Sequence, residues 1–297
     1  MEDNDILVSI IMNCYNSDEF LKEAIDSVIG QTHQRWEIIF WDNQSTDKSE
    51  EIVRSYNDRR IRYFYALEHT TLGQARNLAV EKSQGEWCAF LDCDDLWSPQ
   101  KLEKQISKTI LYPQAVLIYG VADILVNKGA ERTHWGRVMK GLRSKNLTNI
   151  LPEGDIFEQL LQQNFIPLVS AMVKRSTYWL VGGIDPKLKQ AEDFDLFVKL
   201  AYCCEVRVIR ESICSYRIHA SNLTHTQLSD NFQEVLGVIS RYLPLSEAKY
   251  ALKVQHAKHV VALIRKGRYL QGFLYLTRNK SLGMFIGLIW NKLRQLR

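Results

Sequence analysis

The first hundred residues alternate between apolar runs typical of buried strands and segments whose apolar positions have helical spacing. Four strands are predicted, over Ile6–Cys14, Glu37–Trp41, Ile61–Tyr65 and Trp87–Leu91. Helices are predicted between them, over Ser17–Gly30, after Asp47, which stands in capping-box spacing with Glu50, and over Gly73–Ser83. Strands that alternate with helices of about a dozen residues imply right-handed crossovers. We therefore expect an α/β fold with a mostly parallel central sheet flanked by helices.

The rest of the chain follows this pattern less regularly and becomes helical towards its end. The further predicted elements are helices over Pro99–Leu111 and Ala191–Tyr202 and strands within Ala115–Val126, Val169–Lys174 and Cys214–Ile218. The polar and basic stretch Lys128–Asn149 predicts a loop, and helices broken at Pro244, Gly267 and Gly283 are predicted beyond Leu228. We expect an α/β domain over residues 1–225 and a helical extension over residues 226–297.

Charge is distributed unevenly along the chain. Residues Ala248–Arg297 contain eleven Lys and Arg and no acidic residue, so within a net charge of +4 the preceding residues carry −7. The basic clusters of this tail alternate with Leu, Phe, Ile and Trp, as in helices that lie at a membrane surface. An anionic membrane surface is the partner that this composition favours, and a helical subdomain packed on the core is the alternative. Nucleic acid is not expected, because no nucleic-acid-binding motif accompanies the charge.

The cysteines and the apolar segments bear on the cellular compartment. The six cysteines have no CxxC spacing, which indicates reduced thiols in the cytoplasm. The N-terminal stretch lacks the basic region and cleavage site of a signal peptide, and the apolar run Leu282–Trp290 is too short to span a bilayer. We expect a cytoplasmic protein, peripheral at the inner face of the cytoplasmic membrane.

Polar clusters follow three of the predicted strands. Asn13, Tyr15 and Asn16 lie at the end of the first, Asp42 and Asn43 follow the second, and the acidic run 92–95 (Asp-Cys-Asp-Asp) follows the fourth. In parallel α/β sheets ligands bind beyond the carboxyl ends of the strands, so these clusters predict one site. Three carboxylates in four residues need a compensating charge, which a divalent cation shared with a diphosphate supplies. The alternative is a solvated acidic turn that caps the following helix.

Six segments in order resemble glycosyltransferase family 2, whose members have the Rossmann-like GT-A fold. They are VSIIMNCYNSDEFLKEAIDSVIGQT, WDNQSTDKSEEIV, LGQARNLA, LDCDDLW, GGIDPKLKQAEDFDLFVKLA and YRIHASNLT, and the match runs from about Leu7 to Thr224. The resemblance implies a nucleotide-sugar-binding half over about residues 1–98 and an acceptor and base half over residues 99–225. It also implies an inverting enzyme that moves a sugar from a nucleoside-diphosphate donor, with a UDP-sugar favoured, to a hydroxyl of a glycan or polyprenyl-linked acceptor in cell-surface polysaccharide synthesis.

The same resemblance implies roles for individual residues. Those implied at the donor are Asn13 and Tyr15 in the base pocket, Asp42 or Asn43 at the nucleobase, Arg76 near the base and phosphates, and Asp92 at the ribose and sugar. Asp94 would bind Mn²⁺ or Mg²⁺, and His219 would reach the metal or the leaving diphosphate. Asp193 would be the catalytic base, with Glu192 as the other candidate of the pair. A carboxylate that takes the proton of the attacking hydroxyl fits a single, inverting displacement.

Each of these roles has a structural alternative. Arg76 could pair with Glu81 or another surface acid, His219 could be a structural histidine, and the acids at 192 and 193 could complement a helix dipole. A GT-A-like protein that binds a nucleotide sugar without transferring it is the alternative function. A nucleotidyltransferase is disfavoured, because the chain has no glycine-rich, arginine-containing loop after the first strand.

Overall fold

A computed structural model of the chain describes residues 5–127, 151–219, 230–265 and 267–278. These residues form two compact units. The first contains Met1–Ile156 and Phe165–Thr226, and the second contains Phe157–Asn164 and Gln227–Arg297. The loop predicted over Lys128–Asn149 and the helix break predicted at Gly283 lie outside the described residues.

The first unit is built on one eight-stranded mixed sheet. Its strands are β1 Val8–Cys14, β2 Trp36–Asp42, β3 Ile61–Tyr65, β4 Trp87–Phe90, β5 Leu96–Trp97, β6 Leu117–Val126, β7 Met172–Lys174 and β8 Val206–Ile218. They lie in the order β3-β2-β1-β4-β7-β6-β8-β5. The pairs β1–β2, β1–β4, β2–β3 and β6–β8 are parallel, whereas β7 is antiparallel to both neighbours and β5 to β8. The α/β architecture expected from the alternating pattern is confirmed.

Helices connect these strands much as the sequence predicts. They are α1 Asp18–Ile29, α2 Ser49–Ser55, α3 Leu72–Lys82, α4 Lys101–Leu111, α6 Arg175–Leu180 and α7 Glu192–Cys203. The helix between α4 and α6 in the chain, α5 Phe157–Gln162, belongs to the second unit. Strands β1 and β2 are buried along almost their whole length, which explains why both read as continuous apolar runs. The largest fully buried side chains in this unit include Trp36, Phe40, Phe90, Tyr119, Tyr178 and Phe197.

Two predicted details are wrong. Strand β8 begins at Val206, well before the predicted start at Cys214, because its first residues pair in parallel with β6 from Leu117 onwards. The capping box does not form: Asp47 accepts hydrogen bonds from the backbone N–H groups of Ser49 and Asp18, both at 3.0 Å. Helix α2 therefore has Lys48 at its N-cap, one residue later than the capping box requires.

The second unit is helical in its described part. Its helices are α5 Phe157–Gln162, α8 Asp230–Ser240, α9 Ser246–Arg265 and α10 Tyr269–Arg278. The Gln255 side chain donates to the Gln162 carbonyl at 2.8 Å, and His256 Nδ1 lies 2.7 Å from the Tyr275 hydroxyl. None of the helices in the described ranges has the length and apolar character needed to cross a membrane.

Lys101, at the start of α4, is a fully buried lysine in the core of the first unit. Its ammonium group donates to Gln105 Oε1 at 2.7 Å and lies 3.9 Å from the centroid of the Trp97 ring. Burial lowers the pKa of Lys101 to about 7, because an ammonium ion loses its hydration in the core. The folded protein therefore binds fewer protons than the unfolded chain between about pH 7 and the ordinary lysine value of 10.5.

This difference predicts a pH-dependent stability. Since stability rises with pH wherever the unfolded state binds more protons, the melting temperature of the wild type should rise relative to that of Lys101→Met between pH 7 and pH 10. Thermal unfolding across this range measures the difference. Lys104→Met, which alters a partly exposed lysine of the same helix, should follow the wild type at every pH. Parallel curves for the wild type and Lys101→Met would show that Lys101 is buried in its charged form.

Candidate active site

The carboxyl ends of the first strands lie together at one edge of the sheet. Cys14 of β1 is in register with Asp42 of β2, and the Asn43 N–H donates to the Cys14 carbonyl at 2.8 Å. After β4 the acidic turn 92–95 stays beside β1, since the Cys93 thiol donates to the Asn13 carbonyl at 3.3 Å. The structure thus brings together the three polar clusters that the sequence places after separate strands.

Asp42 and Asn43, the two candidates for contact with the base, both use their side chains inside the protein. Asp42 is fully buried and accepts hydrogen bonds from the Ser45 N–H and the Tyr63 hydroxyl, each at 2.7 Å. The Asn43 amide donates to the Thr70 carbonyl at 2.9 Å and accepts from the Thr70 N–H at 3.1 Å. These bonds fix the turn after β2 and the loop after β3.

An aromatic pair lies beside this turn. Tyr15 is 53% exposed and makes an edge-to-face contact with His69, with ring centroids 4.4 Å apart. His69 Nδ1 lies 2.8 Å from the Asn43 carbonyl, which fixes the orientation of the imidazole. His69 is not among the residues predicted from the sequence, because no motif in its loop distinguishes it from any other histidine. Close by in the chain, Asn13 Nδ2 is buried without a hydrogen-bond partner among the described residues.

Asp94 contacts His219, far away in the sequence. Strand β5, directly after the acidic turn, pairs antiparallel with β8, and this pairing brings the turn to the end of β8. His219 Nε2 lies 2.8 Å from Asp94 Oδ2. Burial and the nearby Asp92 raise the pKa of Asp94, and the hydrogen bond from His219 opposes this shift. The two residues thus form a carboxylate–imidazole pair at the edge of the sheet.

Arg76 connects the acidic turn to the helix that carries the predicted base. Its guanidinium donates to Asp92 at 3.0 Å and to Glu192 at 2.8 Å. The side chains of Arg76 and Glu192 are 4% and 9% exposed, whereas that of Asp92 is 39% exposed. The suggested pairing with Glu81 is therefore wrong: Arg76 is a buried bridge between two predicted site residues.

Helix α3 is held where Arg76 can form this bridge. A Cβ atom on Gly73 would stand 2.8 Å from the Ile184 side chain, so only glycine permits such a close approach. One turn later the Asn77 amide donates to the Ile184 carbonyl at 2.8 Å and accepts from the Ile184 N–H at 3.1 Å. These contacts fix α3 against the segment that leads into α7.

Glu192 and Asp193, adjacent in the first turn of α7, have different surroundings. Glu192 is buried; its Oε1 atom accepts from Arg76 and its Oε2 atom has no hydrogen-bond partner among the described residues. Asp193 is partly exposed, and its Oδ1 atom accepts from the Phe194 N–H at 2.6 Å. Of the two carboxylates, that of Asp193 is the more accessible to a substrate.

The Asp94–His219 pair suits a divalent cation that is shared with a phosphate. A carboxylate oxygen is an ordinary ligand of Mn²⁺ and Mg²⁺, and an imidazole nitrogen is a common ligand of transition-metal ions. Among the described residues, no group of three or more His, Cys, Asp and Glu side chains could hold a metal ion. Asp94 and His219 are thus two candidate ligands in the described part of the chain, and a cation bound there would complete its coordination with water and substrate phosphates.

Comparison with known proteins identifies the class. The model of the family "Glycosyl transferase family 2" matches residues 9–166, which is more than half of the chain. The chain belongs to glycosyltransferase family 2, as the sequence motifs indicate.

Its relatives include bacterial glycosyltransferases. TuaG of Bacillus subtilis (strain 168), provisionally assigned to teichuronic acid biosynthesis, is 42% identical over 234 residues, which cover 73% of this chain and 85% of TuaG. An uncharacterized glycosyltransferase of Rickettsia typhi is 28% identical over 294 residues, 94% of this chain and 87% of that protein. WfgD of Escherichia coli, a UDP-Glc:α-D-GlcNAc-diphosphoundecaprenol β-1,3-glucosyltransferase, is 37% identical over 124 residues, 42% of this chain and 49% of WfgD.

Solved structures confirm the GT-A fold. TarS 1–349 of S. aureus in complex with UDP-GlcNAc superposes with a TM-score of 0.64 at 16% identity, covering 84% of this chain and 70% of TarS. The mannosyltransferase PcManGT of Pyrobaculum calidifontis, in complex with GDP-Man and Mn²⁺, superposes with a TM-score of 0.60 at 17% identity. The match covers 93% of this chain and 80% of PcManGT.

The buried bridge predicts a large loss of stability when its cation is removed. Arg76→Gln leaves the Glu192 carboxylate buried without its partner, so the free energy of unfolding should fall by about 3–5 kcal/mol. Arg54→Gln removes an exposed ion pair with Glu50 and should cost at most about 1 kcal/mol. Urea denaturation measures both values. The double variant Arg76→Gln/Glu192→Gln should recover part of the loss, and equal losses for Arg76→Gln and Arg54→Gln would contradict a buried bridge.

Proposed function

We propose that this glycosyltransferase is inverting and metal-dependent, and that it moves a sugar from a nucleoside-diphosphate donor, with a UDP-sugar favoured, to a hydroxyl of a glycan or lipid-linked acceptor in cell-surface polysaccharide synthesis. The observation that carries the proposal is the Asp92–Arg76–Glu192 bridge. It ties the acidic turn, where the donor's diphosphate would bind, to the helix that carries Asp193. The bridge would hold the donor site and the catalytic base in a fixed relative position.

Several observations support the donor class. The nucleobase would lie at the ends of β1 and β2, beside the Tyr15–His69 pair. Asn13 would contribute its amide, which has no hydrogen-bond partner within the described ranges. Asp42 and Asn43 would shape this pocket through the backbone, because their side chains are already hydrogen-bonded. TarS, which shares the fold, was solved with UDP-GlcNAc, and WfgD is named for a UDP-Glc donor.

Asp94 and His219 would hold Mn²⁺ or Mg²⁺ together with the donor's phosphate oxygens. When bound, the cation offsets the negative charge that grows on the leaving diphosphate. Asp92 remains partly exposed despite its bond to Arg76, so its second oxygen can face the ribose and sugar. The bond to Arg76 fixes the orientation of the Asp92 carboxylate.

Asp193 would act as the base. A sugar hydroxyl is a weak nucleophile, so a carboxylate must take its proton as the oxygen attacks the anomeric carbon. The Phe194 N–H donates to one oxygen of Asp193 and fixes the orientation of the carboxylate. Glu192 is buried against Arg76 and is better suited to positioning than to contact with the acceptor. Attack from the face opposite the leaving diphosphate inverts the anomeric carbon.

Removal of the base is the direct test. In Asp193→Asn the side-chain oxygen can still accept the hydrogen bond from the Phe194 N–H, but the amide cannot take a proton from the sugar hydroxyl. The kcat should therefore fall by about 10²–10⁴-fold while the Kd for UDP stays unchanged. Product formation from a panel of nucleotide sugars with Mn²⁺, together with NMR assignment of the anomeric configuration of the product, provides the measurement.

Three outcomes would count against the proposal. An active Asp193→Asn with an inactive Glu192→Gln would assign the base to the other carboxylate. A product with retained configuration would exclude a single displacement. Binding of a nucleotide sugar without any turnover by the wild type, over a broad acceptor panel, would favour the non-catalytic alternative.

A lipid-linked acceptor would require the enzyme to work at a membrane surface, and α10 supports this. Its inner face packs on α9, where Gly272 lies close to Val260 and Ile264. Its other face is apolar and exposed, and consists of Tyr269, Leu270, Phe273 and Leu274. The sequence around this face is basic and free of acids, which suits anionic lipid. We extend the proposal to peripheral binding at the cytoplasmic membrane.

Vesicle sedimentation tests this extension with the full chain. The wild type should sediment with vesicles that contain anionic lipid, and salt should weaken the binding without abolishing it, because salt screens charges but not apolar burial. The triple variant Leu270→Gln/Phe273→Gln/Leu274→Gln should bind less at every salt concentration. Leu111→Gln, which alters an exposed leucine of the first unit, is the control and should bind as the wild type does. No sedimentation of the wild type even at low salt would exclude the membrane.

A further inference from the structure

Arg217 is a buried arginine that the sequence analysis did not single out. It lies on β8, two residues before His219, and its side chain is 5% exposed. Its Nε–H donates to the backbone carbonyl of Asp94 at 2.7 Å. Its Nη2 atom donates to Glu23 at 2.7 Å and its Nη1 atom to Asn127 at 3.1 Å. One guanidinium thus connects the acidic turn, helix α1 and the residue after β6.

Further contacts place Arg217 beside the Asp94–His219 pair. Its guanidinium lies 4.4 Å from the centroid of the Phe20 ring, and the same ring lies 5.1 Å from the His219 imidazole. The backbone N–H of Arg217 donates to the buried carboxylate of Asp95 at 2.8 Å. Arg217 is therefore in contact with two residues of the acidic turn and shares a packing surface with His219.

These contacts hold Asp94 at two points. Side chains two residues apart in an extended segment lie on the same side, so Arg217 and His219 approach the turn together. Arg217 fixes the backbone of Asp94 through its carbonyl, and His219 contacts the carboxylate. When both ends of a residue are held, its carboxylate has little freedom to turn away from a ligand.

We propose that Arg217 is a positioning residue that holds Asp94 in the orientation in which Asp94 and His219 bind the divalent cation. This inference rests on the cation site of the proposed function. A lysine cannot replace the arginine, since one ammonium group on a flexible stem does not reach three separate acceptors and stack on a ring at the same time. Glu23 balances the charge of the guanidinium and fixes its far end.

The test is Mn²⁺ binding in the presence of saturating UDP, with the free ion quantified by its electron paramagnetic resonance signal. Residues that orient metal ligands typically contribute 10–100-fold to affinity, so Arg217→Lys should raise the Kd for Mn²⁺ by about that factor. A large excess of Mn²⁺ should restore much of its transferase activity. Arg175→Lys is the matched control, because Arg175 Nε–H donates in the same way to the Gly85 carbonyl, before β4, at 2.7 Å. It should bind Mn²⁺ as the wild type does.

A second pair of variants guards against misfolding of Arg217→Lys. Glu23 is 57% exposed, so Glu23→Gln should fold, and it loosens the far end of the guanidinium. Glu19→Gln removes the same charge from an exposed position on the same helix. Mn²⁺ binding should be weaker in Glu23→Gln than in Glu19→Gln.

The outcomes separate this inference from the proposal beneath it. A wild type that binds no Mn²⁺ with UDP would overturn the cation site, and the role of Arg217 with it. If the wild type binds Mn²⁺ and both Arg217→Lys and Glu23→Gln bind it equally well, the cation site stands and Arg217 does not position Asp94. Loss of thermal stability in Arg217→Lys without loss of Mn²⁺ affinity would likewise assign it a purely structural role.

Discussion

Carboxylates crowd one edge of the sheet, and the site depends on how their mutual repulsion is offset. Arg76 lies between Asp92 and Glu192, and Arg217 lies against the backbone of Asp94 and the carboxylate of Asp95. Removal of one partner from a buried ion pair typically costs several kcal/mol, because the other partner is left without compensation. The arginines are placed by α3 and β8, so the geometry of the site depends on how these elements pack on the sheet.

The sheet itself is assembled so that distant segments meet. Parallel pairing of β1, β2 and β4 brings together three strand ends, where the proposed nucleotide pocket lies. The antiparallel β5–β8 pair brings His219 to the turn that contains Asp94. Parallel strands thus concentrate the residues proposed to bind the donor, and the antiparallel pair supplies the partner of Asp94.

Helix α10 of the second unit has two apolar faces with different surroundings. In α10 one face packs on α9 within the unit, whereas the other is exposed. A single amphipathic helix can thus pack within its own unit through one face and leave the opposite face exposed. Burial of the inner face gives the outer face a defined orientation.

The sequence by itself determined the alternation of strands and helices, the strand ends that carry polar residues and the family, because apolar periodicity and local motifs are written along the chain. The sequence did not show which side chains pair with one another. These pairs join residues 16 to 123 positions apart: Arg76 with Asp92 and Glu192, Asp42 with Tyr63, and Arg217 with Asp94. The early start of β8 has the same origin, since its polar residues are strand only because β6 lies beside them. Pairing across such distances follows from the packing of whole elements, which no local pattern encodes.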